Sequence, residues 1–238
     1  DAVILKTGKT LADIKGQKVN LVELSVSHYL LARGLEDIKM SEKDITIVNT
    51  SDADMIAAAA TPDVTAVVTW NPLVSEILAM PGTTKVFDSS QIPMEITDMT
   101  LVNTKTLKDN PKFGKALVGA WYETMSVMRA DSPAGVKARA DMAKMSGTTP
   151  ESFDAQLKTT KMYWEPKDGV AFARDPALVK AMERVRQFSF DHGLFGQGAK
   201  SVDDVGISLP GGVVLGSAKN VKLRFDDSFM SMAADGKL

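Results

Sequence analysis

Between Leu11 and about Asn103, short β-rich runs alternate with helical runs, and no other feature constrains the fold as tightly. Such βα alternation requires a mostly parallel sheet covered by helices. Strands are expected over Lys18 to Glu23, Ile45 to Asn49, Thr65 to Trp70, Lys85 to Asp88 and Ile96 to Val102. Val64-Thr-Ala-Val-Val-Thr-Trp70 is the strongest, with β-branched residues on both faces, as suits a strand covered on both sides. The intervening helices are expected over Ser27 to Glu36, Asp52 to Ala60 and Leu73 to Met80, the last with Pro72 at its favoured first turn.

After Asn103 the pattern turns helical. Helical periodicity runs from Pro111 to Ala130, Pro133 to Met145, Pro150 to Thr159 and Pro176 to Phe190, with prolines at helix starts and Gly147 and Gly193 just past helix ends. A last strand, Asn220 to Phe225, precedes a helical tail at Asp226 to Ala234. One strand is a poor platform for so many helices, so the second half is short of sheet for its size.

The 28 Lys and Arg against 30 Asp and Glu, with 44% hydrophobic residues, describe a folded chain without the charge bias that nucleic acid or anionic lipid would need. No run approaches the roughly 18 apolar residues of a membrane span, and the first residues lack the pattern of a signal peptide. With no cysteine, disulfides, thiolate metal sites and Cys nucleophiles are excluded.

Two local matches fail on spacing. Thr7-Gly8-Lys9-Thr10 resembles the end of a phosphate-binding loop, but Val3 stands where that pattern needs its first glycine. Gly193, Gly196 and Gly198 lack dinucleotide-binding spacing and follow a helix where a strand is needed. The two histidines, His28 and His192, assemble neither a metal spacing nor a Ser-His-acid set, and His192 is read as bonding terminal helix carbonyls. No metal, cofactor or catalytic residue is assigned.

The informative stretch is Glu23-Leu-Ser25-Val-Ser27-His28-Tyr-Leu-Leu31, where a strand ends and an amphipathic helix starts. A strand-to-helix turn at the carboxyl end of a parallel sheet offers unpaired N–H groups and hydroxyls, and open α/β folds bind ligands there. A plain Ser N-cap accounts for one serine as well. Two other strand ends behave alike: Asn49-Thr-Ser-Asp52-Ala-Asp54 and Trp70-Asn71-Pro72. Taken singly, Asp52 reads as a cap and Trp70 as core; their repetition at one topological position favours a common ligand edge.

At these residues the chain resembles the solute-binding proteins of nitrate, sulfonate and taurine type ABC importers. The similarity runs through Thr10-Leu-Ala-Asp-Ile-Lys-Gly-Gln-Lys-Val19, Ser25-Val-Ser-His28-Tyr-Leu-Leu31 and Val67-Val-Thr-Trp70-Asn71-Pro72, then Val102-Asn-Thr104, Asn110-Pro-Lys-Phe-Gly-Lys-Ala-Leu117 and Phe190-Asp-His-Gly193-Leu194. Tyr163-Trp164, the serine pair and Leu223-Arg-Phe-Asp-Asp227 are similar to the branch associated with urea carboxylase operons, a resemblance that implies urea or a guanidine-like compound as cargo.

The resemblance implies a type II periplasmic-binding-protein-like α/β fold of two lobes with mostly parallel sheets. Residues 1–103 would be the ligand-binding second lobe with helix 104–130 packed on it, and residues 131–238 the helical C-terminal part of a first lobe that is incomplete in this chain for want of an N-terminal segment. It further implies a periplasmic monomer that closes by hinge bending over a small solute, serves an inner-membrane ABC permease, and does no chemistry. Enzymes of thiamin-pyrimidine synthesis and effector domains of transcription regulators share the fold and stand as alternatives.

Charge points to the cargo. Glu23, Asp52, Asp54, Glu95 and Asp98 occupy the expected strand ends with no basic residue adjacent, so a cationic or amide-rich solute fits better than an anion. The expected ligand-binding residues are Glu23, Ser25, Ser27, His28, Asp52, Trp70, Asn71, Glu95, Asp98 and Trp164. Glu95 and Asp98 supply carboxylates from the strand returning through the hinge, and Trp70 or Trp164 stacks on the solute.

Overall fold

The computed structural model describes Asp1–Leu238, which divides into two compact units, Asp1–Ile96 and Thr97–Leu238. In unit 1 the elements follow in the order β1 (Ala2–Leu5), β2 (Lys18–Leu21), α1 (Val26–Asp37), β3 (Thr46–Asn49), α2 (Asp52–Ala60), β4 (Ala66–Thr69), α3 (Leu73–Leu78) and β5 (Thr84–Asp88). They form one five-stranded sheet ordered β3-β2-β4-β1-β5. β2 is parallel to β3 and to β4, whereas β1 is antiparallel to both β4 and β5. Four strands therefore point one way and β1 the other.

Both faces are apolar because both are covered. On one face Ala2, Ile4 and Val67 pack with Met55 and Ala59 of α2 and Val74 and Ile77 of α3. The pleat turns Val3 and Val68 to the opposite face, on the side of α1, whose Leu30, Leu31 and Leu35 are fully buried. Close approach there depends on Gly34: a Cβ would meet the Phe87 ring of β5 at 3.0 Å. Each such buried Leu contributes about 1.5–3 kcal/mol.

β2 to β5 and α1 to α3 lie where their sequence periods place them. Three details differ. Ile96 to Val102 forms no strand, because β propensity alone cannot hold a run that pairs with no neighbour. Ala2–Leu5, unsuspected in the sequence, is the buried strand joining β4 to β5. Pro72 is the N-cap of α3 and follows a cis peptide bond, one position ahead of the helical turn expected for it.

Unit 2 contains α4 (Thr104–Asp109), α5 (Pro111–Arg129), α6 (Pro133–Met145), α7 (Pro150–Lys158), α8 (Pro166–Arg174) and α9 (Pro176–Asp191). These are followed by β6 (Gly206–Ser208), β7 (Val214–Leu215), β8 (Val221–Arg224) and α10 (Ser228–Ala234). Five of these helices begin with Pro at the first turn, and Ser132, Thr149 and Asp175 cap α6, α7 and α9 through their side chains. Gly147 and Gly193, both at φ +71°, follow the ends of α6 and α9 in the left-handed conformation that glycine adopts freely. The stretch expected as helix 104–130 is two helices, α4 and α5, both within this unit. The expected shortage of sheet holds: three short strands, ordered β7-β6-β8, are all it contains.

Candidate functional site

The parallel register makes the strand ends of unit 1 level. Leu21 lies opposite Asn49, and Asn20 opposite Val67, so the residues that follow β2, β3 and β4 leave the sheet along one edge. Side chains tie these ends together: the Glu23 N–H donates to Asn49 Oδ1 at 3.0 Å, and Asn20 Nδ2 donates to Thr50 Oγ1 at 2.8 Å.

The β2–α1 turn is held from within. Leu24 adopts φ +62°, a left-handed conformation that costs a non-glycine residue roughly 1–2 kcal/mol. Its N–H donates to His28 Nδ1 at 3.0 Å, so that nitrogen carries no proton and Nε2–H donates to the Glu42 carboxylate. Ser25 caps α1, its Oγ accepting from the Ser27 N–H at 3.1 Å, while the Ser27 hydroxyl donates to Asp1 Oδ1 at 2.9 Å. Ser27 and His28 are thus buried braces of the turn. Glu23 and Asp52 are exposed, and Ser25, Trp70 and Asn71 are half-buried. Asp52 follows Ser51, which occupies the N-cap of α2, and Asn71 Oδ1 accepts from the Ser75 hydroxyl at 2.8 Å.

Glu95 differs from expectation. It is buried at the end of unit 1, and Oε2 accepts from the Tyr29 hydroxyl at 2.5 Å and from Arg33 Nε at 2.7 Å. The premise that no basic residue adjoins it is corrected: folding brings Arg33 of α1 against it. Its place at the start of a strand is corrected too, since no strand forms there. The available signal was Arg33 itself, one helical turn beyond Tyr29 on the apolar side of α1.

Asp98 and Trp164 belong to unit 2. Asp98 is exposed in a segment without regular structure, and the half-buried Trp164 lines a hollow of about 290 Å³. His192 Nδ1–H donates to the Phe188 carbonyl at 2.9 Å, the helix-end role read from its position. The phosphate-loop resemblance fails structurally as well: the N–H groups of Lys9 and Thr10 both donate to Asp13 Oδ2, at 2.8 and 2.9 Å, so this chain's own carboxylate takes the place a phosphate would need.

Comparison with known proteins gives a family and a fold. The family model described as NMT1/THI5 like matches residues 4–133. No curated protein matches the chain. Among solved structures it is similar to the alkanesulfonate-binding protein SsuA from Xanthomonas axonopodis pv. citri bound to MOPS, with 19% identity and a TM-score of 0.63 over 82% of this chain and 65% of that one. The periplasmic aliphatic sulphonate binding protein SsuA from Escherichia coli gives 20% and 0.65, over 81% and 60% of the two chains. The sulfonate-binding protein SsuA from Methylobacillus flagellatus KT gives 16% and 0.69, over 99% and 65%. The fold is therefore periplasmic-binding-protein-like α/β, and the chain spans 60 to 65% of the length of these three proteins.

Proposed function

The chain belongs to the NMT1/THI5-like family, and from that premise we propose that it is a solute-binding receptor of a periplasmic ABC importer, handing a small polar solute to an inner-membrane permease. The observation that carries this is the level edge of the unit 1 sheet. Glu23, Ser25, Asp52, Trp70 and Asn71 offer polar atoms and an indole there, while Ser27, His28 and Asn49 fix the turns beneath them. A preorganised edge holds a guest at low entropic cost and needs no nucleophile. In this assignment unit 1 is the ligand-binding lobe, and Asp98 and Trp164, in unit 2, are not needed for the contact.

The cargo in this proposal is a small cation or amide-rich molecule of urea or guanidine type. The residues at the edge, 22–29, 49–54 and 69–72, include Glu23, Asp52 and Asp54 and no Lys or Arg. A carboxylate accepts two parallel bonds from a planar guanidinium, and Trp70 can cover its face. A sulfonate is the second reading. It is favoured by the ligands named for the similar structures and by the first turn of α1, which carries no acid.

Calorimetric titration with guanidinium, urea, taurine and nitrate separates the two. Saturable binding of guanidinium or urea alone supports the proposal. Preference for taurine or nitrate overturns the charge argument and leaves the receptor standing. Conversion of a bound ligand into a product overturns the receptor in favour of an enzyme.

A further inference from the structure

Unit 2 holds a hollow of its own, lined by Trp164 and separate from the strand edge of unit 1. One wall is apolar, formed by Met128 at the end of α5, Leu157 of α7 and the Trp164 indole. The indole is held by its neighbours in sequence. The Tyr163 ring packs on Phe172 of α8 with centroids 4.9 Å apart, and Glu165, the N-cap of α8, pairs with Arg129 at 3.1 Å. A segment anchored on both sides presents its ring in one place, which lowers the cost of binding.

The charges around the hollow fall into two kinds. Arg139 is structural: Nε donates to Asp154 Oδ1 at 2.9 Å, and one terminal nitrogen donates to the carbonyls of Met128 and Ala130 at 2.8 and 3.2 Å, closing the end of α5. Arg129 pairs with Glu165, a carboxylate it shares with Lys167 at 2.7 Å. Lys158 and Asp131 line the same hollow and are exposed, and their side chains make no ion pair or hydrogen bond with the rest of the chain. A lone anion would face Asp131 as well as Lys158, and a lone cation would face Lys158 as well as Asp131. A molecule carrying both charges satisfies both.

We propose that this hollow is a second binding site, taking a small zwitterion with an apolar body: its acid group on Lys158, its ammonium on Asp131 and its body against Trp164. At about 290 Å³ the space lies at the small end of ligand pockets, which suits a molecule of amino-acid size. The site lies wholly within unit 2 and does not rest on the assignment made for unit 1.

The test is calorimetry of the full chain with norleucine, beside hexanoate and pentylamine as probes that keep an alkyl body and one charge each. Norleucine is expected to saturate one site about tenfold more tightly than either single-charge probe, with guanidinium present in excess. Lys158→Ala, Asp131→Asn and Trp164→Ala are each expected to weaken it by about tenfold or more. The two charged residues are exposed, so their variants keep the fold, and Trp164→Phe serves if the alanine variant does not. Absence of saturable binding, hexanoate or pentylamine binding as tightly as norleucine, or norleucine affinity indifferent to these substitutions overturns the proposal.

Discussion

Arg33 Nε donates to Glu95 Oε2 at 2.7 Å in the interior of unit 1, across 62 residues of sequence. The Tyr29 hydroxyl donates to the same oxygen, and Arg33 also reaches Glu36. Burial works to lower the Arg33 pKa, but the hydrogen bond and charge of Glu95, with Glu36, more than offset it and hold the pKa above the ordinary value. Removing Glu95 leaves the buried Tyr29 hydroxyl without its acceptor and Arg33 with only the exposed Glu36 and Asp37, so Glu95→Ala is expected to lose about 3 kcal/mol in urea unfolding, the low end for a broken buried pair. Glu95→Ala combined with Arg33→Met should lose less than the two single changes added together. Full additivity would show that the two residues do not act as a pair.

How much of this was legible depended on whether the signal was local. α2 runs from Asp52 to Ala60 as read, because a short polar stretch gives way there to an unbroken small-residue helix. β4 was equally plain from its β-branched run. Ala2–Leu5 is too short for any period to show, and it becomes a strand only through its partners β4 and β5. The converse holds at Ile96 to Val102, where β propensity is high but no neighbouring strand exists to pair with it. At the candidate edge, Glu23, Asp52 and Trp70 were readable because each follows a strand. The burial of Ser27 and His28 depends on contacts that no spacing along the chain encodes, while the capture of Glu95 by Arg33 is signalled only by a single arginine on the apolar side of α1, which does not name its partner. The helix at Pro166–Arg174 is not among the expected ones, although Glu165 and Asp168 form a capping box there, a signal present in the sequence.

Asp88 should contribute to acid sensitivity. Burial works to raise its pKa, yet the Lys85 ammonium at 2.5 Å and the Ser90 hydroxyl and N–H outweigh it and hold the carboxyl below its usual value near 3.8. A lowered folded pKa gives stability that is complete above the unfolded value and is lost as pH falls through the folded one. The difference in unfolding free energy between the wild-type chain and Asp88→Asn should accordingly be largest at neutral pH and shrink below about pH 4. A difference that is constant down to acid pH would mean the carboxylate charge contributes nothing.

Gly114 of α5 is buried, and a Cβ there would lie 2.4 Å from the Phe229 ring of α10. In an exposed helix, Gly→Ala gains about 1 kcal/mol, but overpacking costs about 1–3 kcal/mol. Gly114→Ala is therefore expected to lower the melting temperature, and Gly114→Ala with Phe229→Leu to recover part of the loss. A rise in melting temperature for the single change would show that the α5 and α10 contact yields easily.

Glu23 offers the sharpest separation of binding from folding. Within the turn it is the backbone N–H that bonds to Asn49, whereas the exposed carboxylate makes no bond to the rest of the chain. Glu23→Gln keeps that backbone bond and removes only the charge, so stability should stay within about 0.5 kcal/mol of wild type. If the edge holds a cation, the same change should weaken guanidinium binding by about tenfold, the scale of one charge-assisted hydrogen bond. Trp70→Leu should weaken guanidinium binding too, through loss of the stacking face, while also costing some stability because the indole is half-buried. Raising the salt concentration should erode the Glu23 contribution and leave the Trp70 one largely intact, since screening acts on exposed charge. Guanidinium affinity unchanged in Glu23→Gln, with taurine affinity increased, would assign the edge to an anion.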